Sequence, residues 1–340
     1  MESLIDAFEY YLRRQGRAEG TKVKYLQVLR GFNDWVGERT LTTLTPADVD
    51  LFLGECEAAF EQARGRSLSR ATVRGKIAAL RSFFDYLERM GLLVDETGAA
   101  VRNPMRAVIA PPAEQRANDF LTADEDAALL SVECSEHERI IVWLLRWTGL
   151  RVSEACSLTL GDFDLVPTTE LVRVRSSKTS SGRRSIPLPP VLVPEIHAWL
   201  LTLEGRGLNE PTTPFLATRW GTAMKPPFVW RVVKRVAARA GVRVVQCSCS
   251  SGRVTHHAPG CPRTLNGENC SELSPHTLRR TYASHLINLG LRLEVVARLL
   301  GHSSTSVTER SYAQLMGTTI RRELIAVLAS PLAQSVETTH

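Results

Sequence analysis

The sequence predicts a mainly α-helical protein with one small antiparallel β-sheet, divided between two domains. Three observations predict it. Apolar residues recur at helical spacing through most of the chain. Alternation with a period of two is confined to a stretch around 170–188. A non-periodic stretch with paired prolines, Ala110 to Asn118 (APPAEQRAN), reads as an extended linker, and 340 residues are comfortable for two domains. The boundaries read as 1–108 for the first domain, 109–119 for the linker, 120–330 for the second domain and 331–340 for a tail.

The first domain reads as all-helical. Leu4, Ile5, Phe8 and Tyr11 follow helical spacing, as do Val23, Leu26, Leu29 and Phe32. Thr45 followed by Pro46 is a cap with proline at the first helical position, and Val49, Leu51 and Phe52 continue that helix. A fourth helix is expected from about Ser69 to Met90, stopped by Gly91. Val73, Ile77, Leu80, Phe84 and Leu87 share one face, and the basic residues fall mostly elsewhere on the cylinder.

The second domain opens near Phe120, where Thr122 and Glu125 have capping-box spacing. Arg139 to Trp147 is a strongly apolar helix stopped at Gly149, and a short helix follows near Ser153. Glu170 to Arg175 and Arg183 to Leu188 read as paired strands around a hairpin tip, Ser176 to Gly182. Pro194 to Leu203 and Phe228 to Ala240 are helical. The chain is helical again from Ser274, with stops at Gly290 and Gly301.

Composition narrows the function. Hydrophobic residues make up 44% and charged residues 23%, as in soluble globular proteins. No stretch approaches the roughly 20 apolar residues of a membrane span. The start, MESLIDAFEYYLRRQG, has no basic-then-apolar secretory pattern, so a cytoplasmic location is expected. Net charge is +6, and its distribution matters more. From Arg64 to Phe84 there are six basic residues and no acid, and from Arg219 to Arg243 seven and no acid. Leu171 to Pro190 holds five more. Such blocks suit phosphate neutralisation along a nucleic acid. Arg66, Arg70, Arg74, Lys76, Arg231, Lys234 and Arg235 are the candidate DNA contacts. Cys56, Cys134 and Cys156 sit in apolar contexts and read as buried, reduced thiols.

One constellation carries chemistry. Thr148-Gly149-Leu150-Arg151-Val152-Ser153-Glu154 places an arginine directly after a glycine stop at a helix start, and both favour a phosphate. Glu154, three residues on, can orient that guanidinium. Pro275-His276-Thr277-Leu278-Arg279 opens a helix with His276 and Arg279 on one face, backed by an apolar stripe of Leu278, Tyr282, Leu286 and Leu289. Leu299-Leu300-Gly301-His302-Ser303 sets a histidine just past a helix end, and Tyr312 follows ten residues later.

In order and spacing, Arg…Lys…His-x-x-Arg…His…Tyr, with LLGH before the tyrosine, resembles the tyrosine recombinase (phage integrase) family. TGLRVSEACSL, PHTLRRTYASHL and LLGHSS carry the likeness, which runs over nearly the whole chain. The resemblance implies a helical core-type DNA-binding domain followed by a catalytic domain. It implies that Arg151 and Arg279 clamp the non-bridging oxygens of the scissile phosphate. His276 would assist proton transfer and His302 would hydrogen-bond the phosphate. Lys178, in the hairpin tip, matches the lysine that protonates the leaving 5′ oxygen, and Arg183 and Arg184 lie close by in the same hairpin. Tyr312 would be the nucleophile, forming a 3′-phosphotyrosyl intermediate. Partners implied are double-stranded DNA with specific recombination sites and a homotetramer in the synaptic complex.

The chemistry agrees with these roles. A phosphodiester transition state gathers negative charge on its equatorial oxygens, and cations placed there beforehand stabilise it more than the ground state. A phenol with a pKa of about 10 attacks poorly unless nearby cations lower that value. The phosphotyrosyl ester conserves the bond energy, so no ATP is expected. No catalytic metal is expected either, because the arginines supply its charge. Rival readings are a type IB topoisomerase-like enzyme, which shares the chemistry, a non-catalytic DNA-binding protein and an RNA-binding zinc module.

One segment departs from the family. Between about 246 and 273 stand Cys247, Cys249, His256, His257, Cys261 and Cys270 among Gly, Pro and Ser. Soft ligands in so polar a run suit a small structural zinc loop. The insertion favours the integrase or transposase of a mobile element over a housekeeping recombinase. After Tyr312, Ile320, Leu324, Ile325 and Leu328 share a face of a terminal helix, which would dock on its own domain or on a neighbouring protomer.

Overall fold

The computed structural model describes residues 1–65, 67–112, 119–175, 183–244 and 271–302. Lys178, Tyr312, Arg66, the six cysteine and histidine candidates for zinc, and the terminal helix lie outside the described residues. The chain separates into two compact units, Met1–Arg116 and Ala117–His340.

The first unit is built from α1 (Glu2–Arg14), α2 (Glu19–Val36), α3 (Pro46–Arg64) and α4 (Arg70–Arg89). Thr45 caps α3 through a reciprocal capping box with Asp48, with Pro46 at its first position. Ser69 caps α4 by accepting from the Thr72 N–H. The apolar faces meet in one core in which Phe8 packs edge-on against Phe83 and Phe32 against both Phe52 and Phe84. Two residues expected inside are outside: Val23 is 56% and Leu51 55% exposed. Each lies just off its helix's apolar stripe, which Leu26, Leu29 and Phe32, or Val49 and Phe52, already fill.

The second unit surrounds α6 (Glu136–Thr148), whose Ile140, Ile141, Val142, Leu144 and Leu145 are all buried. Against it pack α5 (Ala123–Ser131), α7 (Val152–Ser157), α8 (Val193–Glu204), α9 (Pro226–Arg239) and α10 (Pro275–Asn288). The last described helix, α11 (Leu293–Leu300), packs on α10 through Tyr282, Ile287, Val296 and Leu300. The sheet is antiparallel in the order β1 (Phe163–Asp164), β2 (Leu171–Val174), β3 (Arg184–Pro187). The period-two pattern predicts β2 and β3. The two-residue β1 is too short to leave any periodic signal, and it joins through Phe163↔Val172.

Other expectations need correction. Leu289 is 65% exposed, so the stripe on α10 ends before it. Cys56 and Cys134 are only half-buried, whereas Cys156 is buried. The two described residues that flank positions 245–270 lie side by side. Val244 and Ser271 form an antiparallel bridge, and the Ser271 hydroxyl donates to the Val242 carbonyl at 2.7 Å. Among the described residues, no helix is long and apolar enough to cross a membrane.

Candidate active site

The site forms where three arginines from three elements meet the end of α11. Arg151 precedes α7, Arg184 opens β3 and Arg279 lies on the second turn of α10. The last carbonyls of a helix have no intrahelical donor and carry the negative end of the helix dipole. Here Arg184 Nε donates to the Leu299 carbonyl at 2.6 Å, Arg279 Nη2 donates to Leu300, and Arg151 Nη2 donates to Gly301 at 3.2 Å. His302 follows directly.

Two local features set these positions. Gly149 ends α6 with φ +60°, and a side chain there would overlap the Tyr282 ring. Only glycine serves both the left-handed turn and the close approach. The Gly149 carbonyl then accepts from Arg279 Nη1 at 2.6 Å, which joins α10 to the turn that carries Arg151. On the other side, Glu154 is buried and gathers both neighbouring arginines. Its Oε1 accepts from Arg151 Nη1 at 2.7 Å and Arg184 Nη1 at 3.2 Å, and its Oε2 accepts from Arg184 Nη2 at 2.9 Å and the Arg151 backbone N–H at 2.8 Å. Burial alone would raise the Glu154 pKa, but the hydrogen bonds and charge of Arg184, then Arg151, hold it below the ordinary carboxylate value.

Both histidines are tuned toward neutrality. His302 is pushed down to about 4, first by desolvation, then by Arg279, Arg151 and Arg184, with His276 adding to them. His276 is lowered by desolvation, then by Arg280 and Arg279, even though part of the residue remains exposed. Its helix is anchored at the base by Thr277, whose hydroxyl donates to Asp119 at 2.8 Å, and Asp119 in turn pairs with Arg243. Tyr282 is buried and its phenol is pushed up to about 12 by desolvation.

The structure thus brings together five expected residues: Arg151, Glu154, His276, Arg279 and His302. It adds Arg184 as a central member. One signal for Arg184 was present in the sequence. It alternates with Ile186 and Leu188, both buried, so a strand turns all three to one face. The basic stripes divide. Arg70, Arg74 and Arg231 are exposed, although Arg74 also donates to the Pro111 carbonyl. Lys76 is half-buried beside Cys56, Lys234 donates to the Ser271 carbonyl at 2.8 Å, and Arg235 pairs with the buried Glu138 at 2.7 Å.

Known proteins share this organisation. Residues 119–317 match the phage integrase family and residues 5–91 match the phage integrase N-terminal SAM-like domain. A tyrosine recombinase of Thermosipho africanus is 28% identical over 312 residues, covering 91% of this chain and 94% of that protein. The tyrosine recombinase XerC of Mycobacterium sp. (strain JLS) is 29% identical over 317 residues, covering 91% and 93%. The fold is similar to a lambda integrase dimer bound to a COC′ core site, with TM-score 0.63, 19% identity and coverage of 92% and 94%. It is also similar to the Tn1549 transposon integrase in complex with a circular intermediate DNA, with TM-score 0.67, 17% identity and coverage of 95% and 99%. With the family matched over more than half of its length, the chain belongs to the phage integrase family, the tyrosine recombinases, which cut and rejoin DNA.

Proposed function

We propose that the protein is a site-specific recombinase in which Tyr312 attacks a backbone phosphate held at Arg151 and Arg279. The Tyr312 oxygen forms a bond to phosphorus and the bond to the 5′ oxygen breaks. Lys178 gives the departing 5′ oxygen its proton, and the 3′ phosphate stays on the tyrosine. Attack by a second 5′ hydroxyl reverses the sequence, so no bond energy is lost. His276, neutral at pH 7, accepts a proton as the phenol attacks, and His302 hydrogen-bonds a phosphate oxygen.

The convergence of Arg151, Arg279 and His302 on the last turn of α11 carries this reading. Cations fixed there before DNA arrives cost no reorganisation in the transition state. A second observation supports Tyr312. Only two of the chain's six tyrosines, Tyr282 and Tyr312, lie beyond residue 116, and Tyr282 is sealed against Gly149 with its phenol at about 12.

The physiological setting we infer is a mobile element, on the strength of the cysteine- and histidine-rich insertion. The substrate is double-stranded DNA with paired recombination sites, acted on by four protomers. The outward basic residues Arg70, Arg74 and Arg231 suit backbone contact. The test uses a nicked suicide duplex built from the terminal sequence of the DNA element that carries the gene. Wild-type protein is expected to give a covalent adduct on a denaturing gel, and Tyr312→Phe none. DNA binding without any adduct would favour the non-catalytic reading, and relaxation of supercoiled DNA lacking paired sites would favour the topoisomerase-like one.

A further inference from the structure

Like Arg279, Arg184 is an enclosed cation of the site, and it lies outside the three motifs that carry the family likeness. Its side chain is 6% exposed, against 42% for Arg151. Of the two arginines on Glu154, Arg151 is the one that presents its guanidinium to solvent. The two arginines share one carboxylate, and they share it unequally. Arg184 holds Glu154 with both ends of its fork, Nη1 at 3.2 Å and Nη2 at 2.9 Å. The Arg151 guanidinium reaches it through Nη1 alone, while its Nη2 points to the Gly301 carbonyl.

We propose that Arg184 is a positioning residue that absorbs the negative charge of Glu154, so that Arg151 keeps its own positive charge for a DNA phosphate. The proposal rests on the reading of Arg151 given above. A carboxylate buried as deeply as Glu154 must be compensated, because an unpaired charge in a low-dielectric interior is costly. Two cations around one anion leave a net positive charge, and the more exposed of the two cations is Arg151. Without Arg184, Glu154 would draw in both ends of the Arg151 fork. Arg151 would then be neutralised and turned inward, and an incoming phosphate would have to compete with an adjacent carboxylate for it. The Arg184 guanidinium also holds the Leu299 carbonyl at 2.6 Å, so a purely geometric role in fixing α11 is the reading to separate from charge balance.

The experiment measures the rate of covalent adduct formation on the nicked duplex described above, with DNA binding measured in parallel. Arg184→Met is expected to slow adduct formation by about 100-fold, the scale for losing one organised charge contact in a reaction site. Arg184→Lys keeps the charge without the fork and is expected within about tenfold of wild type. Adding Glu154→Gln to Arg184→Met removes the charge that needs balancing and is expected to recover at least about tenfold. Arg184→Lys as slow as Arg184→Met, or a double variant no faster than Arg184→Met, would overturn the proposal in favour of a geometric role. If Arg184→Met alone does not fold, the double variant is compared with Glu154→Gln. Rates within about threefold support the proposal, and a further loss of tens of fold overturns it. Wild-type protein that binds the duplex and forms no adduct would instead defeat the reading of the site as catalytic, and this proposal with it.

Discussion

Arg279 donates to the Gly149 carbonyl at 2.6 Å, across 130 residues of sequence. That bond ties the helix bearing His276 to the turn bearing Arg151, so two distant motifs become one site.

Gly149→Ala is expected to destabilise the protein by about 2–4 kcal/mol, combining a left-handed residue with overpacking against Tyr282. Urea unfolding measures the loss. A change under about 0.5 kcal/mol would show that neither the turn nor the contact matters.

His302 is expected to titrate at about 4 in the DNA-free protein, against an ordinary value of 6.5. The sign follows from proton binding. Between these values the unfolded chain binds the proton and the folded one does not, so stability is greatest above 6.5 and falls as pH drops toward 4. Histidine-resolved NMR reads the midpoint directly. Adding inorganic phosphate should raise it, because an anion offsets the field of Arg279, Arg151 and Arg184. A midpoint near 6.5 without phosphate would contradict the crowded, cationic surroundings.

Glu138 sits buried between Arg235 and Arg239, which hold its pKa at about 2 against the opposing effect of burial. Its contribution is fully present above the ordinary value of 4.5 and is lost as pH falls through about 2. Glu138→Gln should therefore cost stability at pH 7 and progressively less in acid. Parallel unfolding curves at pH 7 and pH 3 test this.

Arg146 is 1% exposed and joined to Asp126 by two hydrogen bonds of 2.7 Å. Asp126→Ala leaves a buried charge uncompensated and should cost about 3–5 kcal/mol, whereas adding Arg146→Met should recover most of that loss. Additive losses in the double variant would mean that the two side chains act independently.

The cysteines and histidines between 247 and 270 are expected to hold zinc, measured as about one equivalent in protein purified without chelator. Protein that is folded, active and metal-free would leave the insertion without this role.

The order of Arg151, His276, Arg279, His302 and Tyr312 along the chain was enough to name the chemistry. Helix ends were equally legible, because caps such as Thr45 with Pro46, Thr122 with Glu125, and Gly149 act within four residues of sequence. The core stripes were legible except at their edges, where Val23, Leu51 and Leu289 fall just outside the buried arc. What only the tertiary structure decided is how cations are spent. Nothing local distinguishes Arg235, locked to Glu138, from Arg231, exposed on the same helix. Nor does local sequence join Arg184 to Glu154, 30 residues away, or to the Leu299 carbonyl, 115 residues away. Hydrophobic period and capping are short-range and repeat along the chain, so a sequence carries them. The pairing of a buried charge depends on which distant element the fold brings within 3 Å of it, and only packing determines that.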